Sequence, residues 1–233
     1  MLAVLAFHKV GDPPRGAWQP WFYVPPGRLA EHLSALRESG WYFVDLMTAL
    51  RGLLGEEPLP EKSALVTFDD SYRSVHEHGL QILVQIGAPC TVFVAVEFVG
   101  GVAGFDAGVA EPLEPLCSWS ELAELASAGV SIQSHGCRHV RLSGLTTAAL
   151  DDELSRSKQV LEERLGAEVV AIAYPYGDAG DSERVVPALE RCGYRAGFLY
   201  DGGAVRPPVA DRYRIARIAV GVDTDLSVVL GQD

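Results

Sequence analysis

The feature that most constrains the fold of this chain is the alternation of short apolar runs with amphipathic segments along its whole length. Strands that alternate with helices form parallel sheets, because each helix brings the chain back to start the next strand in the same direction. Seven such runs within 233 residues predict one domain, 1–233, with an α/β fold. We expect an irregular (β/α)7-type barrel with the active site at the carboxyl ends of its strands. The predicted strands are 2–7, 63–68, 91–95, 130–133, 169–173, 195–199 and 213–220.

Capping residues mark two of the predicted helices between these strands. A long helix over 146–165 is predicted to end at Gly166. A shorter helix before it is predicted to start at Ser118 or Ser120 and to stop at Gly129.

The charge of the chain limits its partners. Nineteen basic residues against 31 acidic residues give a formal net charge of −12, which argues against nucleic acid, because that partner needs a basic surface. The apolar run at 2–7 is too short for an export signal, and no run approaches the length of a membrane span. We therefore expect a cytoplasmic protein without a membrane span, whose four cysteines are ordinary reduced thiols.

Two loops depart from the alternating pattern. Residues 11–26 are rich in proline and aromatic residues, and residues 97–115 are rich in glycine and acidic residues. Both follow predicted strands, so in a barrel they lie on the face that carries the active site. Trp18 and Trp21 are therefore candidate substrate contacts that stack on a sugar; the alternative is that they only cover the barrel mouth.

Two acidic residues end the predicted strand at 63–68. Asp69 and Asp70 are neighbours, and on a strand their side chains point to opposite sides. Where the chain turns at the end of the strand, both can still reach one site. An aspartate in this place also serves as a helix N-cap, so the pair alone is ambiguous.

Two histidines follow another predicted strand with the spacing of metal ligands. His135 and His139 lie at i and i+4, and a helical turn after the strand would put both imidazoles on one face. Two imidazoles and one carboxylate, with water in the remaining positions, make a metal site of catalytic type. The other aspartate would then be available as a base.

A proline turn ends a third strand. The strand at 169–173 stops before Pro175, and Tyr176-Gly177 follows. Such a turn can direct backbone N–H groups at a developing oxyanion, although the same residues also form plain turns.

Together these segments resemble the motifs of the polysaccharide deacetylase family, also called the NodB-homology or carbohydrate esterase 4 family. Their order and spacing fit, and the matching segments span most of the chain. The resemblance implies a metal-dependent N-deacetylase that releases acetate from an N-acetylated sugar and leaves a free amine. The matching segments are Thr67-Phe68-Asp69-Asp70-Ser71, His135-Gly136-Cys137-Arg138-His139 and Ala173-Tyr174-Pro175-Tyr176-Gly177.

The resemblance also implies the role of each residue. Asp69 would be the general base, and a backbone N–H near Tyr176 would stabilise the oxyanion, with Pro175 beside it at the substrate. The metal is expected to be Zn²⁺, with Ni²⁺, Co²⁺ and Fe²⁺ as alternatives. Its ligands would be Asp70, His135 and His139.

Three positions depart from the family pattern. Ser71 stands where a glycine is usual, and Ala173 stands where most members have the arginine that pairs with the base. Arg217 in the last predicted strand is a candidate replacement for that arginine; the alternative is that it faces solvent. Ordinary members also carry a late histidine that protonates the leaving amine, and no histidine follows His139.

The opening stretch LAVLAFHKVG offers a substitute for that late histidine. One branch of the family, which includes bacterial poly-N-acetylglucosamine deacetylases, is circularly permuted, so that the last barrel strand comes first. This chain resembles that branch, which makes His8 the candidate general acid. The strand at 2–7 must then lie beside the strand at 213–220 and close the barrel.

The same residues leave two other functions open. The substrate could be a small biosynthetic sugar conjugate, or the barrel could be a catalytically silent carbohydrate-binding protein. A glycosidase is disfavoured, because adjacent Asp69 and Asp70 cannot flank a bond at the separation of about 5–9.5 Å that such enzymes use.

Overall fold

The chain forms a closed barrel of seven parallel strands with helices around it. The computed structural model describes residues 1–17, 19–105 and 112–231. Each of the seven predicted strands is confirmed, with ends that differ by a few residues. Within the described residues the strands are β1 (Leu2–Phe7), β2 (Lys9–Val10), β3 (Tyr23–Val24), β4 (Tyr42–Phe43), β5 (Ser63–Phe68), β6 (Cys90–Val94), β7 (Ser131–Ser134), β8 (Ala171–Ala173), β9 (Ala196–Gly202) and β10 (Ile215–Ala219).

Helices connect the barrel strands. Thr146 caps the longest of them and Gly166 ends it in the left-handed conformation, as predicted. Of the two serine candidates for the preceding helix, Ser118 is the cap, in a reciprocal pair with Glu121. No described helix is both long and apolar enough to cross a membrane. The α-helices of the described residues are α1 (Pro26–Glu38), α2 (Leu46–Leu53), α3 (Leu80–Ile86), α4 (Trp119–Ser127), α5 (Thr147–Leu165), α6 (Ser182–Arg191) and α7 (Leu226–Val229).

The first strand closes the barrel between the last strand and β5. The order around the ring is β1-β10-β9-β8-β7-β6-β5, and β5 pairs with β1 along the whole length of β1. The predicted position of the first strand beside the last is therefore confirmed. Because Phe7 and Phe68 are paired in register, the next residue of each strand, His8 and Asp69, leaves the barrel at the same level.

Side chains of the barrel strands alternate between the interior and the helical layer, as the two-residue period of a strand requires. Leu2, Val4 and Leu65 belong to one buried cluster, which also includes the apolar face of α2. His8 lies four residues after Val4, and Asp69 lies four residues after Leu65. Both therefore share the face of the strand that points into the barrel. The strand period therefore aims both polar side chains into the mouth of the barrel.

Candidate active site

A buried ion pair lies at the carboxyl end of the barrel. Arg217 on β10 donates to both carboxylate oxygens of Asp69, with Nη1–Oδ1 at 2.8 Å and Nη2–Oδ2 at 2.7 Å. Nη1 also donates to Thr67 Oγ1 at 3.1 Å, and the two side chains of the pair are only 0% and 3% exposed. This fork fixes the orientation of the carboxylate. Of the two alternatives for Arg217, the structure shows the buried one.

The ion pair also decides the charge of Asp69. Burial raises the pKa of this carboxyl, but the Arg217 charge and hydrogen bonds, together with the nearby His135 and His8, outweigh burial and hold the pKa below its ordinary value. Asp69 is therefore ionised at neutral pH even though it is buried.

Three side chains from two motif segments meet beside this ion pair. Asp70 Oδ1 lies 3.1 Å from His139 Nε2 and 3.4 Å from His135 Nε2. One ligand atom of each residue lies within 4.8 Å of the others, and all three residues are buried. Ligand atoms around a single ion have this separation. We call Asp70, His135 and His139 the metal triad.

The donor atoms of the metal triad fit a divalent cation. His135 Nδ1 lies 2.7 Å from the Ala173 carbonyl oxygen, which can only accept, so Nδ1 carries the proton and Nε2 carries a lone pair. Burial lowers the pKa of His135 to about 4, so its ring is neutral at pH 7. A nitrogen lone pair that faces the Asp70 carboxylate is repelled unless a cation lies between them. Nitrogen and carboxylate ligands of this kind suit Zn²⁺ and similar ions.

The segment between the two histidines is a bend and not the helical turn that their spacing also allows. After β7 the chain continues without helix, and both Gly136, at φ 79°, and His139, at φ 51°, are left-handed. Glycine adopts this conformation readily, and the bend rather than a helix brings the imidazoles together, with ring centroids 4.9 Å apart. We call residues 135–139 the histidine bend.

His8 approaches the metal triad from the first strand. Its Nε2 atom lies 3.9 Å from Asp70 Oδ2, and its ring packs against Phe22 and Tyr200 with centroids 4.6 and 5.4 Å apart. Burial lowers the pKa of His8, and the Asp69 and Asp70 carboxylates oppose this only in part. His8 therefore lies at the same site as the metal triad without being one of its ligands.

These groups line a cleft of about 350 Å³. Phe105 stacks on His139 with ring centroids 4.1 Å apart, and the guanidinium of Arg141 lies 4.5 Å from the centre of the Tyr176 ring. The loops at 11–26 and 97–115 both contribute to the cleft wall, through Phe22 and Phe105. The lining residues are His8, Lys9, Gln19, Phe22, Asp69, Asp70, Tyr72, Phe105, His135, His139, Arg141, Tyr174, Tyr176, Gly177 and Tyr200.

A comparison of the sequence with protein families agrees with this geometry. The profile described as Polysaccharide deacetylase matches residues 56–197, which is more than half of the chain. The chain belongs to the polysaccharide deacetylase family.

Curated polysaccharide deacetylases resemble the chain at moderate identity. YxkH of Bacillus subtilis (strain 168), whose name marks it as a candidate polysaccharide deacetylase, is 27% identical over 181 residues, 78% of this chain and 60% of that protein. The poly-beta-1,6-N-acetyl-D-glucosamine N-deacetylase of Escherichia coli (strain K12) is 29% identical over 135 residues, 56% of this chain and 20% of that protein. The chain thus spans less than two thirds of the length of either relative.

Solved deacetylase structures share the fold over nearly the whole chain. The Streptococcus pyogenes deacetylase PplD superposes with a TM-score of 0.84 at 22% identity, over 99% of this chain and 96% of that one. IcaB from Ammonifex degensii superposes with a TM-score of 0.82 at 25% identity, over 97% and 93%.

The predicted substrate contacts are placed differently from one another. Tyr176 lines the cleft and is 48% exposed, whereas Pro175 is buried in the turn behind it. Trp21 does not line the cleft. Its ring packs against Phe22, and Phe22 does line the cleft. Trp18 lies outside the described residues.

Several cleft residues were not predicted individually. Phe22 and Phe105 lie in loops, where no period ranks one aromatic residue above its neighbours. The sequence did indicate that Tyr200 points inward. It lies two residues after Phe198 and four after Ala196, which are inward residues of β9.

Among the described residues other than glycine, left-handed backbone occurs only in the three deacetylase motifs. This conformation costs about 1–2 kcal/mol for most residues other than glycine. Ser71 adopts this left-handed conformation, at φ 56°. Its buried Oγ has no hydrogen-bond partner among the described residues. The serine that replaces the usual glycine therefore stands where glycine is favoured. The non-glycine residues with positive φ in the described chain are Asp70, Ser71, His139 and Tyr176.

Ser71→Gly is expected to stabilise the fold. It relieves the backbone strain and removes a buried unsatisfied hydroxyl, partly offset by the greater freedom of glycine in the unfolded chain. We expect a gain of about 1 kcal/mol, which raises the midpoint of thermal unfolding by roughly 2–4 °C. A midpoint at or below that of the wild type, measured without metal at neutral pH, would contradict this account.

Proposed function

We propose that this chain is a divalent-metal-dependent N-deacetylase that removes acetyl groups from an N-acetylated saccharide and releases acetate. The proposal rests on one cleft that brings together the metal triad, the oriented Asp69 carboxylate and His8. Membership of the polysaccharide deacetylase family supports it. So does the name of the Escherichia coli relative, an N-deacetylase of a poly-N-acetylglucosamine.

Amide hydrolysis needs an activated water, a stabilised oxyanion and a proton for the leaving nitrogen. A divalent ion held by the metal triad, which we expect to be Zn²⁺, would supply a Lewis acid that acidifies water and polarises the acetyl carbonyl. Asp69, ionised and held by Arg217, accepts the proton of the attacking water. The backbone N–H of Tyr176, in the turn at the cleft wall, is the candidate donor to the oxyanion.

His8 is the proposed general acid for the leaving amine. It lines the same cleft as Asp69, but it comes from a different strand and packs against Tyr200. Its lowered pKa makes the protonated imidazole a stronger acid and at the same time reduces the fraction of His8 that is protonated at neutral pH.

The walls of the cleft suit a sugar. Phe22 and Tyr200 lie on the His8 side, and Phe105 and Tyr176 lie on the His139 side. Aromatic faces of this kind stack on the apolar face of a sugar ring. A volume of about 350 Å³ is at the lower end of ligand pockets. We therefore propose that one acetylated sugar unit enters at a time, whether it belongs to a polymer or to a small conjugate.

Metal removal tests the proposal most directly. The purified protein is expected to hold about one divalent ion per chain and to release acetate from N-acetylglucosamine oligomers. A chelator should abolish this release, and added Zn²⁺ should restore it. His135→Ala should lose the metal, whereas His76→Ala, which removes a histidine paired with surface Glu124, should keep it. A wild-type protein without metal at neutral pH would instead favour a silent carbohydrate-binding barrel.

His8→Ala tests the general acid. We expect the fold and the metal content to be retained and kcat to fall by about 10²- to 10⁴-fold, the usual contribution of a positioned acid or base. His78→Ala is the matched control, because His78 is half exposed and lies outside the cleft. Acetate release at the wild-type rate by the His8 variant would remove the assignment.

Arg217→Lys tests the control of Asp69 by its cation. Lysine keeps the charge but loses the two-point fork, so it lowers the pKa of Asp69 less. A base must be ionised, and activity falls as the pH drops through its pKa. The acid limb of kcat/KM should therefore move to higher pH in the variant. Arg212→Lys, at an exposed pair with Glu190, should leave the limb in place, and an unmoved limb in both variants would contradict the role.

A further inference from the structure

A carboxylate with no exposed surface lies behind the histidine bend. Glu153 is on α5, is 0% exposed and is not among the residues that line the cleft. A buried carboxylate is unfavourable unless several hydrogen-bond donors replace the water it has lost. The hydrogen-bond donors around Glu153 therefore indicate its structural role.

Every donor to Glu153 in the described part of the chain comes from the histidine bend. Its Oε1 accepts the backbone N–H groups of Cys137 at 2.7 Å and Arg138 at 2.8 Å. Its Oε2 accepts Arg138 Nε, also at 2.8 Å. Hydrogen bonds to an ionised carboxylate are roughly twice as strong as those between neutral groups. Glu153 thus holds the two residues midway between His135 and His139.

Three other backbone groups of the bend are held as well. The Gly136 N–H donates to Ser134 Oγ at 3.1 Å. The carbonyls of Gly136 and Cys137 accept the N–H groups of Val96 and Glu97 at 3.2 and 3.0 Å. A bend has no hydrogen bonds of its own to satisfy its backbone, so outside partners must do so. On the N–H side, Glu153 supplies two of these partners.

Little space separates Glu153 from the bend. A Cβ atom added at Gly136 would lie 2.8 Å from Glu153 Oε1, and Gly136 is left-handed at φ 79°. Glycine is therefore required here for two reasons, conformation and close approach. A contact this tight leaves the bend only a narrow range of positions relative to α5.

We propose that Glu153 is a positioning residue that fixes the histidine bend and thereby directs His135 and His139 at Asp70. The inference rests on the proposed metal site and extends it to a residue that touches neither metal nor substrate. A bend that loses Glu153 keeps its histidines but holds them loosely. Metal affinity should then fall by about 10- to 100-fold, the effect usual for groups that orient metal ligands.

Glu153→Gln tests the inference in the full chain. Glutamine keeps the size of the side chain, but it is a weaker acceptor and presents an NH₂ group to Arg138 Nε. Asp152→Asn is the matched control. It removes the same charge from the preceding residue of α5, which is exposed and whose Oδ2 lies 3.5 Å from Arg138 Nη2. Among the described residues, Asp152 makes no hydrogen bond to the bend backbone, whereas Glu153 accepts two.

Zn²⁺ affinity by competition with a chromophoric chelator is the main measurement. The visible spectrum of the Co²⁺-loaded protein, which responds to ligand geometry, is the second. We expect Glu153→Gln to bind Zn²⁺ about 10- to 100-fold more weakly with an altered Co²⁺ spectrum, and Asp152→Asn to match the wild type. A purely structural role would lower the unfolding temperature yet leave the affinity and spectrum of the folded variant unchanged. That result would overturn the inference.

Gly136→Ala keeps the test decisive if Glu153→Gln does not fold. Its Cβ would displace the Glu153 carboxylate and should weaken Zn²⁺ binding likewise, whereas Gly144→Ala, where an added Cβ meets nothing within 4 Å, should not. Wild-type affinity in Gly136→Ala would overturn the inference alone. A wild-type chain that binds no divalent ion would overturn the proposed function together with it.

Discussion

The parallel pairing of β1 with β5 is the interaction on which the rest of the structure depends. It closes the ring, and it brings His8 and Asp69 to the same level of the barrel mouth. The Asp69 N–H continues the pairing by donating to the Phe7 carbonyl at 2.9 Å. A slip of one residue would turn every inward side chain outward. The barrel interior and the candidate site are therefore specified by the same set of backbone hydrogen bonds.

Buried charges tie separate elements of the barrel together. Arg217 of β10 holds Asp69 after β5, and Glu153 of α5 holds Arg138 in the histidine bend. For the fully buried Arg217–Asp69 pair, removing one partner costs about 3–5 kcal/mol, because the other charge is left without compensation. Both ion pairs also fix the positions of the groups that they join. The first pair fixes the orientation of the Asp69 carboxylate, and the second fixes the position of the histidine bend.

Much of this structure could be predicted from the sequence, because strand alternation and motif spacing are local signals. The strands and the pairing of the two histidines follow from such patterns, whereas the closing position of β1 and the choice of Asp70 as a ligand followed from the family resemblance. The spacing of the histidines could not decide between a helical turn and a bend, because it suits both equally. Glu153, more than ten residues further along, holds the bend. In the sequence, the role of Glu153 was indicated only by its position as an acidic residue on the apolar face of α5.

The order of these elements along the chain affects how the site assembles. The metal triad lies within residues 70–139, so its ligands are synthesised well before Arg217. Until β10 docks on the free edge of β1, Asp69 has no cation, and a carboxylate without one resists burial. Arg217 can reach Asp69 only where β10 has paired with β1, so the strand that seals the ring also supplies the guanidinium that orients Asp69.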